Sequence, residues 1–222
     1  MWRDASLVVQ RDLRIELRTR VTATQVVPFA LAVLVLFAFA LDPDRGVLER
    51  AAPGLFWVVV LFSGMLAIVR SSSLDEGDGR RDGLRLSGLD PAGIFVGKAA
   101  AVAVQLLALQ VVLAAGVALL YGAPFAGYPL VVATCLAATA AVATTGTLYG
   151  ALVAELRMRH TLLPLLLLPV LAPVLIGATQ AFETAFGTGV ANGWAWCGFV
   201  GGIALIYLVV GSLAYGTLLE TT

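Results

Sequence analysis

Few side chains in this sequence could do chemistry, and those few lack companions at a useful spacing. The one histidine, His160, stands with Arg157 and Arg159 in the run ELRMRH. A lone imidazole has no second ligand to complete a metal or axial pair, so a headgroup or interface contact is its plainer role. Cys135 and Cys197 fall within or at the edge of apolar runs, where a free thiol behaves as a small hydrophobe and a disulfide framework is not indicated. Serine or cysteine hydrolysis would lack its base. The sequence has no GxxxxGK[ST] phosphate loop, so any ATP hydrolysis must come from another chain.

What positions these residues is a set of long apolar segments. The chain is 60% hydrophobic with formal net charge zero, and between Lys98 and Glu155 it has no Asp, Glu, Lys, Arg or His. A soluble domain would not tolerate that, and zero net charge gives no basic surface for nucleic acid. An apolar helix needs about 20 residues to cross about 30 Å of hydrocarbon. Six segments qualify: 21–41, 51–69, 94–121, 128–152, 162–180 and 194–219. The sequence therefore predicts an all-α integral membrane protein with six transmembrane helices, divided into an amino-terminal amphipathic interfacial helix (1–20) and a six-span domain (21–222). Ala38-Phe39-Ala40 resembles a signal cleavage site, but Asp4, Asp12 and Glu16 precede the apolar run and argue against cleavage.

Twelve of the 14 Lys and Arg residues lie in three segments, 1–20, 70–98 and 153–160, which alternate with connections nearly free of them. Basic loops stay on the cytoplasmic side, so both the amino and the carboxyl terminus are expected there. If 2–20 is helical, Trp2, Ala5, Val9, Leu13 and Leu17 share one side while Arg3, Arg11, Arg14 and Arg18 cluster opposite. Such a helix lies on the inner leaflet with Trp2 at headgroup depth. A short solvated tail obeying the same charge bias is the alternative.

The segment LDEGDGRRDGLRLSGLDPAGIFVGK, 74–98, carries mixed charge, several glycines and apolar Leu84, Leu86 and Leu89. A helix of about two turns over 80–89, stopped by Asp90-Pro91, would fit. It would offer leucines to a partner's groove, with Asp78, Gly79, Arg80, Arg81, Asp82 and Arg85 around them for orientation. The alternative is a loop that only connects two spans. Inside the spans, small residues recur at four-residue spacing: Ala137 and Ala141, Gly146 and Gly150, Gly198 and Gly202. They suit close helix packing, within the bundle or against another subunit. Pro164, Pro169 and Pro173 should kink the fifth span. Trp194 and Trp196 are expected as interfacial anchors at the outer start of the sixth span, and 181–193 as a short re-entrant or interfacial turn.

The loop with its DG and Leu-rich turn leading into Ile-Phe-Val-Gly-Lys resembles that of ABC-2 type permeases. RDLRIELRTR at 11–20 and ELRMRHTLLPLLLLPVLAPVLIGAT at 155–179 narrow the likeness to the haem exporter protein B (cytochrome c maturation protein B) family. The resemblance implies the membrane subunit of an ABC-type complex in a bacterial inner membrane. It further implies a separate ATPase subunit that binds ATP, a haem-handling membrane subunit, a small accessory membrane protein and, indirectly, a periplasmic haem chaperone. Haem would be substrate of the complex, with no cofactor, metal or catalytic residue assigned to this chain. A permease for another substrate, a scaffold coupling the ATPase to a haem-handling neighbour, and a self-contained carrier are the alternatives.

The charge partition predicts that cysteines placed at Asp44 and Glu183 react with a membrane-impermeant thiol reagent added outside whole cells, while one at Arg81 does not. Labelling at Arg81 with protection at Asp44 would reverse the orientation.

Overall fold

The computed structural model describes residues 2–20, 22–41, 45–73, 90–122, 127–153 and 159–221. Among them every regular element is helical. α1 spans Trp2–Thr19, and a π-helical turn, Thr22–Val26, leads into α2, Val27–Ala40. Then follow α3 (Arg45–Ser73), α4 (Pro91–Tyr121), α5 (Tyr128–Leu152), α6 (Arg159–Ala185) and α7 (Gly193–Thr221).

Five helices, α3 to α7, are long and apolar enough to cross a membrane. The first expected span, 21–41, is shorter. Its segment is the π turn plus α2, and it qualifies only when joined to α1 across a bend of 52°. Arg20, at the end of α1, has φ 51°, a left-handed conformation that closes a helix and costs a non-glycine residue about 1 kcal/mol. The sharp turn from α1 into the bundle is made there.

Asp90-Pro91 starts a helix. The Asp90 carboxylate accepts from the Ala92 N–H at 3.2 Å, and proline occupies the first turn, where its missing N–H is no loss. The helix expected over 80–89 lies outside the described residues. Pro164, Pro169 and Pro173 all lie inside α6, which nevertheless runs unbroken through Ala185. The expected turn at 181–193 is thus helical in its first part. Phe182 is buried against Phe56 and Trp57, with ring centroids 5.1 and 5.0 Å away, so this part is aromatic core. The chain then turns back, with the N–H groups of Thr188 and Gly189 both donating to the Glu183 carbonyl at 2.9 Å.

α4 and α5 form the middle of the bundle. α5 packs on α3, α4, α6 and α7, and α4 on α1, α2, α3, α5 and α7. Leu106 and Leu113 of α4 and Leu167, Leu171 and Val174 of α6 are buried in the same core. Two side-chain hydrogen bonds cross the interior: Gln110 Nε2 donates to Thr139 Oγ1 at 2.7 Å, and the Tyr121 hydroxyl donates to the Leu34 carbonyl at 2.9 Å. With no water in the hydrocarbon to satisfy them, such bonds tie α4 to α5 and to α2.

Ala141, Gly146 and Gly150 are buried, and Ala137 packs against the core. A Cβ on Gly146 would strike the Ile68 side chain, so this glycine lets α3 and α5 approach. Gly198 and Gly202 have nothing within contact distance of such a Cβ. Gly146→Val should therefore destabilise the bundle by about 1–3 kcal/mol, whereas Gly198→Val should stay within about 0.5 kcal/mol of the parent in a monomeric preparation. Thermal unfolding in detergent, followed by size-exclusion chromatography, measures both.

Candidate functional site

The face that α1 turns to the bundle is set by its carboxylates. Ala5, Val8 and Asp12 are buried, with Asp4 and Glu16 half-buried on the same side at four- and eight-residue spacing. Trp2, at 79% exposure, and Leu17 point away. Arg14 and Arg18 are exposed, and Arg11 and Leu13 half-buried. Of the apolar side expected from Trp2, Ala5, Val9, Leu13 and Leu17, Ala5 alone is buried against α4.

Along this face α1 engages the bundle at four successive points. Asp4 Oδ2 accepts from the Asp90 N–H at 3.4 Å, at the mouth of α4. Ala5 and Val8 lie against Gly97, where a Cβ would come within 2.7 Å of the Val8 Cβ and 2.8 Å of the Ala5 carbonyl oxygen. Asp12 is 4% exposed and Lys98 of α4 is 5% exposed, and the two lie on facing sides of α1 and α4. Arg11 Nε and Nη2 each reach Asp12 Oδ1 at 2.8 Å, a charge-assisted contact within α1. Near its end, Glu16 pairs with Arg70 of α3 at 3.3 Å, and the Arg70 guanidinium also donates to the Thr19 hydroxyl.

These contacts bridge two helices. Ser73 ends α3 and Asp90 opens α4, and segment 74–89 joins them. α1 grips both sides of that join, Arg70 with Glu16 and Asp90 with Asp4. The two grips are separated by about 18 Å along α1, at about 1.5 Å per residue. Asp78, Gly79, Arg80, Arg81, Asp82, Leu84, Arg85, Leu86 and Leu89 lie outside the described residues. Both helices that carry them are strapped by α1.

Sequence reasoning missed Lys98, Asp12 and Arg70. The readable signal was the stripe Asp4, Val8, Asp12, Glu16, which a hydrophobicity count discards because it looks for apolar sides.

A family model described as "CcmB protein" matches residues 3–222. The chain belongs to the CcmB family. Among curated relatives, "Heme exporter protein B" of Paracoccus denitrificans is 36% identical over 178 residues, covering 77% of this chain and 78% of the relative. The protein of that name from Bradyrhizobium diazoefficiens is 31% identical over 218 residues, 94% of each chain. That from Haemophilus influenzae is 31% identical over 178 residues, 80% of each.

In this CcmB chain the remaining sequence-predicted positions are dispersed. Cys197 is buried and Cys135 half-buried, both as free thiols on different helices. Among the described residues no group of three or more His, Cys, Asp and Glu could hold a metal ion, and the side chain of His160 lies outside them. Trp194 is exposed, and the Asn192 carboxamide oxygen caps the first turn of α7 by accepting from its N–H at 3.1 Å. Trp196 packs edge-on to Phe199 at 6.0 Å. Among the described residues nothing brings together a nucleophile and a base.

Asp12→Leu should leave Lys98 buried without its carboxylate and cost about 3–5 kcal/mol of stability. The double variant Asp12→Leu/Lys98→Met, which removes both charges, should recover most of that loss. A double-mutant cycle by thermal unfolding in detergent checks the coupling, and additive losses would show that the two charges act independently.

Proposed function

We propose that this chain is the transmembrane subunit of an ABC-type haem exporter serving c-type cytochrome biogenesis in a bacterial inner membrane. ATP is hydrolysed by a separate ATPase subunit. The observation that carries the reading is the family match over nearly the whole chain, together with relatives named for haem export. Both termini face the cytoplasm, because the basic segments 1–20, 70–98 and 153–160 belong on that side. Haem leaves for the periplasmic side with the help of a haem-handling membrane subunit and a small accessory protein, and a periplasmic chaperone receives it.

The coupling element is segment 74–89 together with α1. Leu84, Leu86 and Leu89 enter an apolar groove on the ATPase, and the surrounding charges from Asp78 to Arg85 set its orientation. Movement of that segment pulls on the end of α3 and the start of α4, and α1 makes the two respond together through Glu16, Thr19, Asp12 and Asp4. Trp2, Leu17, Arg14 and Arg18, exposed on the outer side of α1, rest on the inner leaflet.

A second reading, a scaffold whose movement remodels a neighbouring haem-handling subunit without passing haem itself, is favoured by the filled centre of the bundle. Leu113, Leu167, Leu171 and Val174 are fully buried there. Both readings need the ATPase, which sets them apart from a self-contained carrier.

Leu84→Asp/Leu86→Asp should lower recovery of the ATPase subunit in pull-downs from membranes by about tenfold, about 1.4 kcal/mol of binding. Haem-stained c-type cytochromes should fall with it. Unchanged recovery from a variant present in the membrane at parental abundance would remove this segment from the coupling path.

A further inference from the structure

A cavity of about 500 Å³ opens between the π turn at the start of α2, the last turns of α3 and the first half of α4. Two kinds of surface line it. Phe29, Leu66 and Leu109 make an apolar wall, and Phe29 and Leu66 are half exposed toward the outside of the bundle, so the cavity can be entered sideways. Gln25, Ser63, Gln105 and Arg70 make a polar one. Ser63 is 1% exposed, yet its hydroxyl has no hydrogen-bond partner among the described residues. A buried hydroxyl left unpaired costs about 1–3 kcal/mol, and more where no water can reach it. An occupant that accepts hydrogen bonds removes that cost.

We infer that this cavity holds one anionic phospholipid from the leaflet beside α1. Arg70 lies one residue inside the end of its span, where phosphate headgroups sit, and the neighbouring end of α1 carries exposed Arg18 and Arg20. Ser63, about 10 Å further along α3 at about 1.5 Å per residue, donates to an ester carbonyl, as do the carboxamides of Gln25 and Gln105. The acyl chains run over Phe29 and Leu109. None of the lining residues is His, Cys, Met or Tyr, so the cavity offers no side chain to ligate haem iron, and a lipid fits its chemistry better than a porphyrin. The lipid fills the cleft beside the bend that joins α1 to α2, and so braces α1 against α3 and α4.

Native mass spectrometry of the full-length chain released from detergent micelles tests this, with dioleoyl phosphatidylglycerol, dioleoyl phosphatidylcholine and hemin added separately. One phosphatidylglycerol per chain should be retained at a concentration about tenfold below that needed for phosphatidylcholine. Two variants should each abolish retention of phosphatidylglycerol at that concentration: Ser63→Leu/Gln105→Leu, which removes the donors to its ester carbonyls, and Leu66→Trp, which fills the entrance. Both should keep the parental elution volume, and the second serves if the first fails to fold. Equal retention of the two lipids by the parent, phosphatidylglycerol retention unaffected by Leu66→Trp, or hemin binding that Leu66→Trp abolishes would overturn the assignment.

Discussion

A charge can remain inside an apolar bundle only beside an opposite charge, and the rest of this architecture follows from where that rule is applied. Asp12 of α1 and Lys98 of α4 are each almost wholly buried, and neither would be tolerated there alone. Their attraction, with Arg11 competing for the same carboxylate, favours this rotation of α1 about its axis. Once that rotation is set, Val8 and Ala5 must lie on Gly97, Asp4 reaches Asp90, and Glu16 meets Arg70. The unused side of α1, with Trp2, Leu17, Arg14 and Arg18, is thereby turned outward.

The consequence is mechanical. A loop between two spans ordinarily transmits little, because each helix end can yield on its own. Here a single helix is bonded to both ends. That is the property a subunit needs if an ATPase pushing on segment 74–89 is to move α3 and α4 together. The bend at Arg20 marks where that helix meets the rest of the chain, and the lipid cleft at Gln25, Ser63 and Gln105 lies beside it.

The spans were legible in the sequence because hydropathy over about 20 residues depends on composition alone. Tyr128–Leu152 fell where expected, whereas the first span proved to be a π turn and a short helix. The packing side of α1 was not legible. A hydrophobic periodicity argument assumes that the apolar side is buried, and here two sides compete, one for lipid and one for α4. Its acidic stripe wins the second because Lys98 and Arg70 wait opposite, and no local pattern in α1 reports them. Asp90-Pro91 was ambiguous for a related reason. The pair disfavours a preceding helix and favours a following one, and only the capping bond to Ala92 shows which end it serves. The small residues at 137–150 and at 198–202 have the same spacing, but the first set faces Ile68 and the core while the second faces outward, a difference set by the neighbours of α5 and α7.

The central claim is that α1 and α4 move as one body when the ATPase cycles. Double electron–electron resonance between spin labels at the exposed positions Gln10 and Val104, in the assembled complex in nanodiscs, measures it directly. The account predicts the same narrow distance distribution without nucleotide and with ATP trapped, while the distance from Gln10 to the exposed Leu213 of α7 shifts. A nucleotide-dependent change between Gln10 and Val104 in a complex that still hydrolyses ATP would contradict it.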